Sequence, residues 1–436
     1  MQTHFTASQL LDPKIAEADK ILRSCVHCGF CTATCPTFVL TGDERDSPRG
    51  RIWMLREVLE NPASVSADTG FHIDRCLGCL SCTSTCPSGV DYPHLLDIGR
   101  DKIDALVPRS YADKALRYFL ARVIPHAGRF RLMIQLARLG KLFRWTMPKR
   151  VRAALDKIPL RLSAFDRTGA ESQTYHATTV NQVPDQNKLI KRVVLLAGCA
   201  QRVLDPDINA STIRLLNRLG VDVVVRAEAH CCGALAHHIG EAETAHQSVR
   251  TAVRSWYEEL VNGKADAIIT NASGCGTMVK DYGHMMKDDA SYAAMAKAVS
   301  AAAMDISELL GKLDIGTVLP SSVSIPPTRI AYHSACSLQH GQKIHDLPIG
   351  LLRKAGFEVV EPLNGHLCCG SAGVYNILQP DLADQLRDRK LASLDATGAG
   401  YVAAGNIGCI TQLNRDIMPV RHLVQFLDWA TGGPRP

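Results

Sequence analysis

The sequence predicts an α+β multidomain chain: a helical, cysteine-dense N-terminal domain followed by two duplicated α/β units. Two observations carry that prediction. The segment CVHCGFCTATCP, residues 25–36, is written again as CLGCLSCTSTCP, residues 76–87. Further on, a single cysteine is followed 32 residues later by a cysteine pair, from Cys199 to Cys231 and again from Cys336 to Cys368. A repeated interval of that length between matching residues marks one structural unit present in two copies.

With 436 residues the chain can bury two or three cores, so its 16 cysteines are not required as covalent staples. The start MQTHFTASQLLDPK has no basic stretch leading into an apolar one, which places the chain in the reducing cytoplasm, where clustered cysteines bind metal. No apolar run approaches the length of a membrane span, so contact with the inner face of the cytoplasmic membrane would be peripheral. The net charge of +6 is uneven: residues 109–152 hold twelve Lys and Arg against the single acid Asp113, and the rest of the chain is net negative. That pattern speaks against a nucleic-acid surface and for one segment that meets an acidic partner or anionic lipid.

Within residues 1–108 the two dense motifs flank SPRGRIWMLREVLENP, which reads as a helix with Ser47 at the N-cap and Pro48 in its first turn. Residues 109–157 alternate basic and apolar residues and predict two amphipathic helices broken around Pro125 and Gly128; residues 158–190 read as a linker. The first α/β unit, 191–316, runs RVVLLAGCA, helix, VDVVVRAEAHCCG, helix, ADAIITNASGCG. The second, 317–436, opens with a Pro/Ser-rich linker at 317–328 and runs RIAYHSACS, helical LPIGLLRKAGFEVVEP, HLCCG, another helix, and GYVAAGNIGC. Short apolar runs alternating with helices predict parallel strands, and every cysteine falls at or past a strand's C-terminal end, where open α/β sheets gather ligands.

The spacing C-x2-C-x2-C-x3-C-P has a chemical reason. A cubane iron–sulfur cluster needs four thiolates around it, and short spacers let one loop aim three sulfurs inward. In two-cluster ferredoxins of this pattern, the fourth cysteine serves the other cluster. Carried onto this chain, one cluster takes Cys25, Cys28, Cys31 and Cys86, and the other Cys76, Cys79, Cys82 and Cys35, with Pro36 and Pro87 turning the chain away. A zinc ribbon would space its cysteine pairs more widely. Gly29, Gly78 and the loop N–H groups are placed to tune the sulfurs, as are Arg23, His27 and Arg75 unless they are simply exposed. No residue is singled out as catalytic, and no phosphate-binding loop for a flavin or nicotinamide is found. The two cubane sites suit a one-electron relay.

The vicinal pairs Cys231-Cys232 and Cys368-Cys369 suit adjacent ligands of one centre, and Gly233 or Gly370 lets the backbone bend beside it. The candidate metal ligands are Cys199, Cys231, Cys232 and Cys275 in the first repeat and Cys336, Cys368, Cys369 and Cys409 in the second. Four thiolates admit a further [4Fe-4S] cluster or zinc, and metal-free thiols are the plain alternative. GCAQ at 198, CCGALAHH at 231 and CCGSAGVYN at 368 resemble the cysteine-rich CCG domains of heterodisulfide reductase, anaerobic glycerol-3-phosphate dehydrogenase and lactate-utilisation subunits. A two-cluster ferredoxin domain followed by two CCG domains is similar to the family of glycolate oxidase (glycolate dehydrogenase) iron–sulfur subunits. That resemblance implies a complex whose FAD subunits oxidise glycolate to glyoxylate while this chain carries electrons toward the quinone pool. Alternatives are a thiol- or heterodisulfide-reducing subunit, or the iron–sulfur subunit of a lactate or glycerol-3-phosphate dehydrogenase. In heterodisulfide reductase the CCG pattern ends in CxxC, whereas here Cys275 precedes Gly-Thr-Met and Cys409 precedes Ile-Thr-Gln, which favours four ligands over five. His230, His237, His238, His333 and His366 lie close enough in sequence to the CCG cysteines to ligate, tune or protonate.

Overall fold

The helix expected between the dense motifs forms over Pro48–Glu60 in the computed structural model, which describes residues 1–147, 151–152, 155, 168–177, 190–320 and 328–436. Ser47 caps it as its sequence requires, its hydroxyl accepting from the Gly50 N–H at 2.9 Å. Its apolar face packs Ile52, Leu55, Val58 and Leu59 against Ala18 and Leu22 of helix Pro13–Ser24 and Leu95 and Ile103 of helix Tyr92–Leu106. The two basic amphipathic helices form over Tyr111–Val123 and Ala127–Gly140, separated where Pro125 stands. Lys149 and Arg150 lie outside the described residues.

The chain divides into two units, one formed by Met1–Tyr118 with His366–Lys390 and the other by Phe119–Gly365 with Leu391–Pro436. The first unit therefore takes in a segment from the second repeat. Tyr375, Leu382 and Ala383 pack with Leu40 and Leu77 there, and the Tyr375 hydroxyl donates to the Arg75 carbonyl at 3.0 Å. Arg109 and Arg117 bind Asp74 within the same unit, so part of the basic segment's charge is spent on the protein's own packing.

The second unit holds two sheets. Strands β1 (Gln173–Tyr175), β2 (Arg192–Leu196), β3 (Asp222–Val225), β4 (Ala267–Thr270) and β5 (Ala303–Asp305) lie in the order β1-β3-β2-β4-β5. Strands β6 (Arg329–His333), β7 (Glu358–Val360), β8 (Tyr401–Ala404) and β9 (Val420–His422) lie in the order β7-β6-β8-β9. All pairings are parallel except β1 with β3. Five strands are those expected. The sequence reading missed β5 and β9, ran β7 into the helix before it, and placed β1 inside the linker 158–190; the described part of that stretch, 168–177, supplies the edge strand. Of the 317–328 linker, 321–327 lie outside the described residues.

The duplication extends to the missed strands. Each is followed at once by a helix with a reciprocal cap, Asp305 with Glu308 at Ile306–Lys312 and His422 with Gln425 at Leu423–Ala430. The repeats dock reciprocally: the helix after β2, Asp207–Arg218, packs on Leu423–Ala430, while the helix after β6, Asp346–Lys354, packs on Ile306–Lys312. Buried Asp428 joins the first pair, accepting from Arg214 at 2.6 Å and also from Arg218.

The glycine after each cysteine pair has a specific backbone reason. Gly233 and Gly370 both have φ of 83°, and a β-carbon at Gly370 would sit 2.5 Å from the Ala383 carbonyl oxygen, against 3.1 Å from Ala245 at Gly233. Replacing Gly370 with Ala adds a backbone clash to left-handed strain, for a cost of about 3 kcal/mol, whereas Gly233→Ala costs about 1–2 kcal/mol. Anaerobic denaturant unfolding of the two variants measures this, and equal costs would contradict the close-approach account.

Candidate metal centres

The dense motifs wind through the same backbone turn by different residues. In each, the third and fifth positions are left-handed: His27 and Gly29 at φ of 56° and 83°, Gly78 and Leu80 at 60° and 61°. One of each pair is a non-glycine residue held in a sparsely populated conformation, the local strain expected where a loop must aim side chains inward. Each loop then enters a one-turn helix, Phe30–Thr34 or Ser81–Thr85, and these two pack together, with Thr85 Oγ1 3.2 Å from Thr34 Oγ1.

That pairing of the motifs brings the fourth cysteine of each toward the other loop. Cys25, Cys28, Cys31, Cys82 and Cys86 line one recess. Cys35 lies among the second group, close enough for its charge to act on both Cys79 and Cys82. Burial and the neighbouring Cys25 thiol push Cys31 up to about 11, and burial with adjacent thiols pushes Cys79 and Cys82 well above the ordinary thiol range. Grouped thiolates of this kind call for a positive centre between them, which is the donor chemistry of an iron–sulfur cluster.

One functional residue escaped the sequence reading. Arg51 is 1% exposed and donates to the His72 carbonyl at 2.9 Å, to Thr37 Oγ1 at 3.1 Å and to Asp46 Oδ1 at 3.4 Å. Asp46 also binds His72 Nδ1 at 2.9 Å and Arg75 at 2.6 Å, so Arg75 is an ion-pair partner rather than an exposed side chain. Burial works against the Arg51 charge, but Cys76, Tyr92 and Cys35 outweigh it and hold the guanidinium protonated. In return, although burial pushes Cys76 up, Arg51 and Arg100 bring it below the usual thiol value. The signal was present in the sequence: Arg51 shares a helix face with Leu55 and Val58, where an apolar residue would be expected.

The first repeat gathers all four of its cysteines. Cys231 lies beside Cys199 and Cys232, and Cys232 beside Cys275. The Cys199 thiol lowers Cys231, but Cys232 and burial outweigh it and push Cys231 up to about 12. Beneath the Cys199 loop lies a buried amide network in which Gln201 Nε2 donates to Asn209 and Asn271 at 2.8 Å each, fixing the loop to β2 and β4. The Tyr282 hydroxyl donates to the Cys232 carbonyl at 2.9 Å.

The second repeat's cysteines are divided. Cys368 and Cys369 belong to the first unit, where the Cys368 charge reaches Cys79, and Cys336 and Cys409 belong to the second. Asn406 Nδ2 lies 3.7 Å from Cys409 Sγ. His333 ends β6 at the position Leu196 takes in β2. It is buried, within 4.8 Å of the Cys409 sulfur, and neither ring nitrogen has a hydrogen-bond partner among the described residues. His237 and His238 lie with ring centroids 5.6 Å apart, tilted by 56°, on helix Ala234–His238, and His366 is half-buried in the first unit.

Residues 21–90 match the 4Fe-4S dicluster domain, and residues 193–280 and 330–414 each match the CCG cysteine-rich domain. The first of these is a domain of two 4Fe-4S clusters, which the thiols of the dense motifs fit. The glycolate oxidase iron-sulfur subunit of Escherichia coli is 41% identical over 431 residues, covering 99% of this chain and 99% of that protein. A probable glycolate oxidase iron-sulfur subunit of Bacillus subtilis is 31% identical over 91% of this chain and 89% of its own length. Lactate utilization protein A of Anoxybacillus flavithermus is 26% identical but reaches only 54% of this chain. Full-length similarity, joined to the ferredoxin and CCG architecture, establishes that the chain belongs to the glycolate oxidase iron–sulfur subunit family.

Proposed function

We propose that this chain is the electron-transfer subunit of a complex in which FAD-bearing subunits oxidise glycolate to glyoxylate, and that it passes the electrons toward the quinone pool. The observation that carries this reading is the gathering of cysteines from both dense motifs around shared points, in a chain similar throughout to glycolate oxidase iron–sulfur subunits. Removing a hydride from a 2-hydroxy acid needs a two-electron cofactor, and splitting the pair into single electrons needs centres of the iron–sulfur kind.

Cys25, Cys28, Cys31 and Cys86 are proposed to hold one [4Fe-4S] cluster and Cys76, Cys79, Cys82 and Cys35 the other. Cys199, Cys231, Cys232 and Cys275 are proposed to hold a further centre, cubane or zinc. A matching centre on Cys336, Cys368, Cys369 and Cys409 rests on the equivalence of the repeats in sequence. The closeness of Cys368 to Cys79 supports electron passage from the second ferredoxin group to the CCG cysteines. The basic hairpin is proposed to rest on anionic lipid: no helix among the described residues is long and apolar enough to cross a membrane, but Leu132, Leu136 and Leu139 are exposed in one stripe beside Arg129.

Three outcomes are expected. Glycolate added anaerobically to the purified chain leaves its iron–sulfur absorbance unbleached, and addition of the flavin subunits brings reduction; bleaching of the flavin-free chain would place substrate oxidation here. Cys35→Ser perturbs the cluster signal assigned to Cys76, Cys79 and Cys82 in electron paramagnetic resonance and spares the Cys25 cluster, with iron, sulfide and zinc analysis deciding the CCG occupants. Co-sedimentation with anionic vesicles is strong at low salt and weakens by about tenfold or more as salt rises through physiological levels, as screening demands; binding that is absent or indifferent to salt removes the lipid surface from the proposal.

A further inference from the structure

The second unit contains a cleft of about 450 Å³ that opens beside Cys231 and has no part in gathering the four thiols. The turn between the two basic helices forms one wall with Arg122, His126 and Arg129, the segment from Glu228 to Cys231 forms the floor, and helix Ala242–Val261 closes the far side with Glu243 and Gln247. The cleft is charge-balanced. Two arginines face two glutamates, which suits neither a carboxylate substrate nor a nucleotide and leaves an uncharged ligand as the fit.

The two histidines define what such a ligand would meet. His230 Nδ1 lies 3.2 Å from the Ala227 carbonyl oxygen, which can only accept, so Nδ1 carries a hydrogen. The His126 ring lies 5.5 Å from His230, tilted by 45°, so two aromatic rings with polar edges border the cleft at an angle. Cys231, one residue beyond His230, belongs to the first CCG thiol group. The same helix that brings Arg129 to the cleft carries the exposed Leu132, Leu136 and Leu139, an apolar track for a ligand with a hydrocarbon tail.

We propose that this cleft seats a quinone headgroup beside the first CCG centre. Resting on the relay reading, it deepens that reading by giving the acceptor a place. The reaction balances as one quinone taking two electrons, delivered singly from glycolate oxidation in the flavin subunits, and two protons from water in the open cleft. Both carbonyl oxygens become hydroxyls and the quinol leaves.

The test uses the complete complex, a photoreactive azido-benzoquinone and a short-chain benzoquinone as competitor. Label should map by mass spectrometry to residues 121–129, 228–231 or 243–251 and be lost with excess competitor. Gln247 is exposed, so Gln247→Trp fills the cleft without disturbing a core. That variant, with iron content equal to wild type as the folding control, should lose labelling and slow re-oxidation of the reduced chain by quinone, each by about tenfold or more. Label confined to other segments, or labelling and re-oxidation unchanged in the variant, overturns the proposal. Failure of the relay itself reads out separately, as absence of glycolate-driven bleaching in the wild-type complex, and labelling then still decides the cleft.

Discussion

Thiolates crowded together repel, and the fold is arranged around that repulsion. A buried thiol beside other thiols has its ionisation pushed up, as at Cys31 and Cys231, so each group is anionic only with positive charge at its centre or its edge. In the ferredoxin-like half the edge charge comes from Arg51, held over Cys76 and Cys35 by Asp46, Thr37 and the His72 carbonyl. A buried guanidinium with this many partners is costly to leave unpaired, which ties helix Pro48–Glu60 to the sulfurs it serves. Around the first CCG group the described partners are neutral instead: the Gln201, Asn209 and Asn271 amides and the Tyr282 hydroxyl. The two kinds of thiol group sit in different electrostatic surroundings, so a centre bound at each would be tuned differently.

Duplication supplies the scaffold and divergence supplies the chemistry. Both repeats share the order of their four parallel strands, the same capped terminal helix and the same left-handed glycine after the cysteine pair. Their reciprocal helix docking buries surfaces that neither repeat could cover alone. Against that sameness, Leu196 in one repeat answers to His333 in the other, so an apolar contact beside one cysteine set becomes an imidazole beside the other.

Much of this was legible in the sequence because the pattern of residues is itself the mechanism. Cysteine spacing showed both motifs, and apolar runs ending at cysteines showed five strands. The break at Pro125 and the caps at Ser47 and Pro48 placed the helices. What escaped has physical causes. Strands of three residues such as Ala303–Asp305 and Val420–His422 are too short to show a period, and the first is hidden in an alanine-rich stretch that reads as helix. Arg51 looked like a surface charge because a basic residue on a helix is usually solvated. The left-handed pair in each loop was half concealed, since His27 and Leu80 take a conformation that their residue types do not advertise. The cleft beside Cys231 could not be read at all, because the turn at His126 and the segment at His230 are about a hundred residues apart.

The assignment of His366–Lys390 to the first unit has a consequence for synthesis. Chains ordinarily complete their N-terminal domain while the rest is still being made. Here the core around Leu22, Leu55 and Leu95 closes within the N-terminal segment, while Leu40 and Leu77 wait for Tyr375, Leu382 and Ala383 until nearly the whole polypeptide has left the ribosome. The surface at Leu40 and Leu77 therefore stays uncovered through most of translation. Any truncation before residue 375 leaves the first unit without that cover as well as shortening the second repeat.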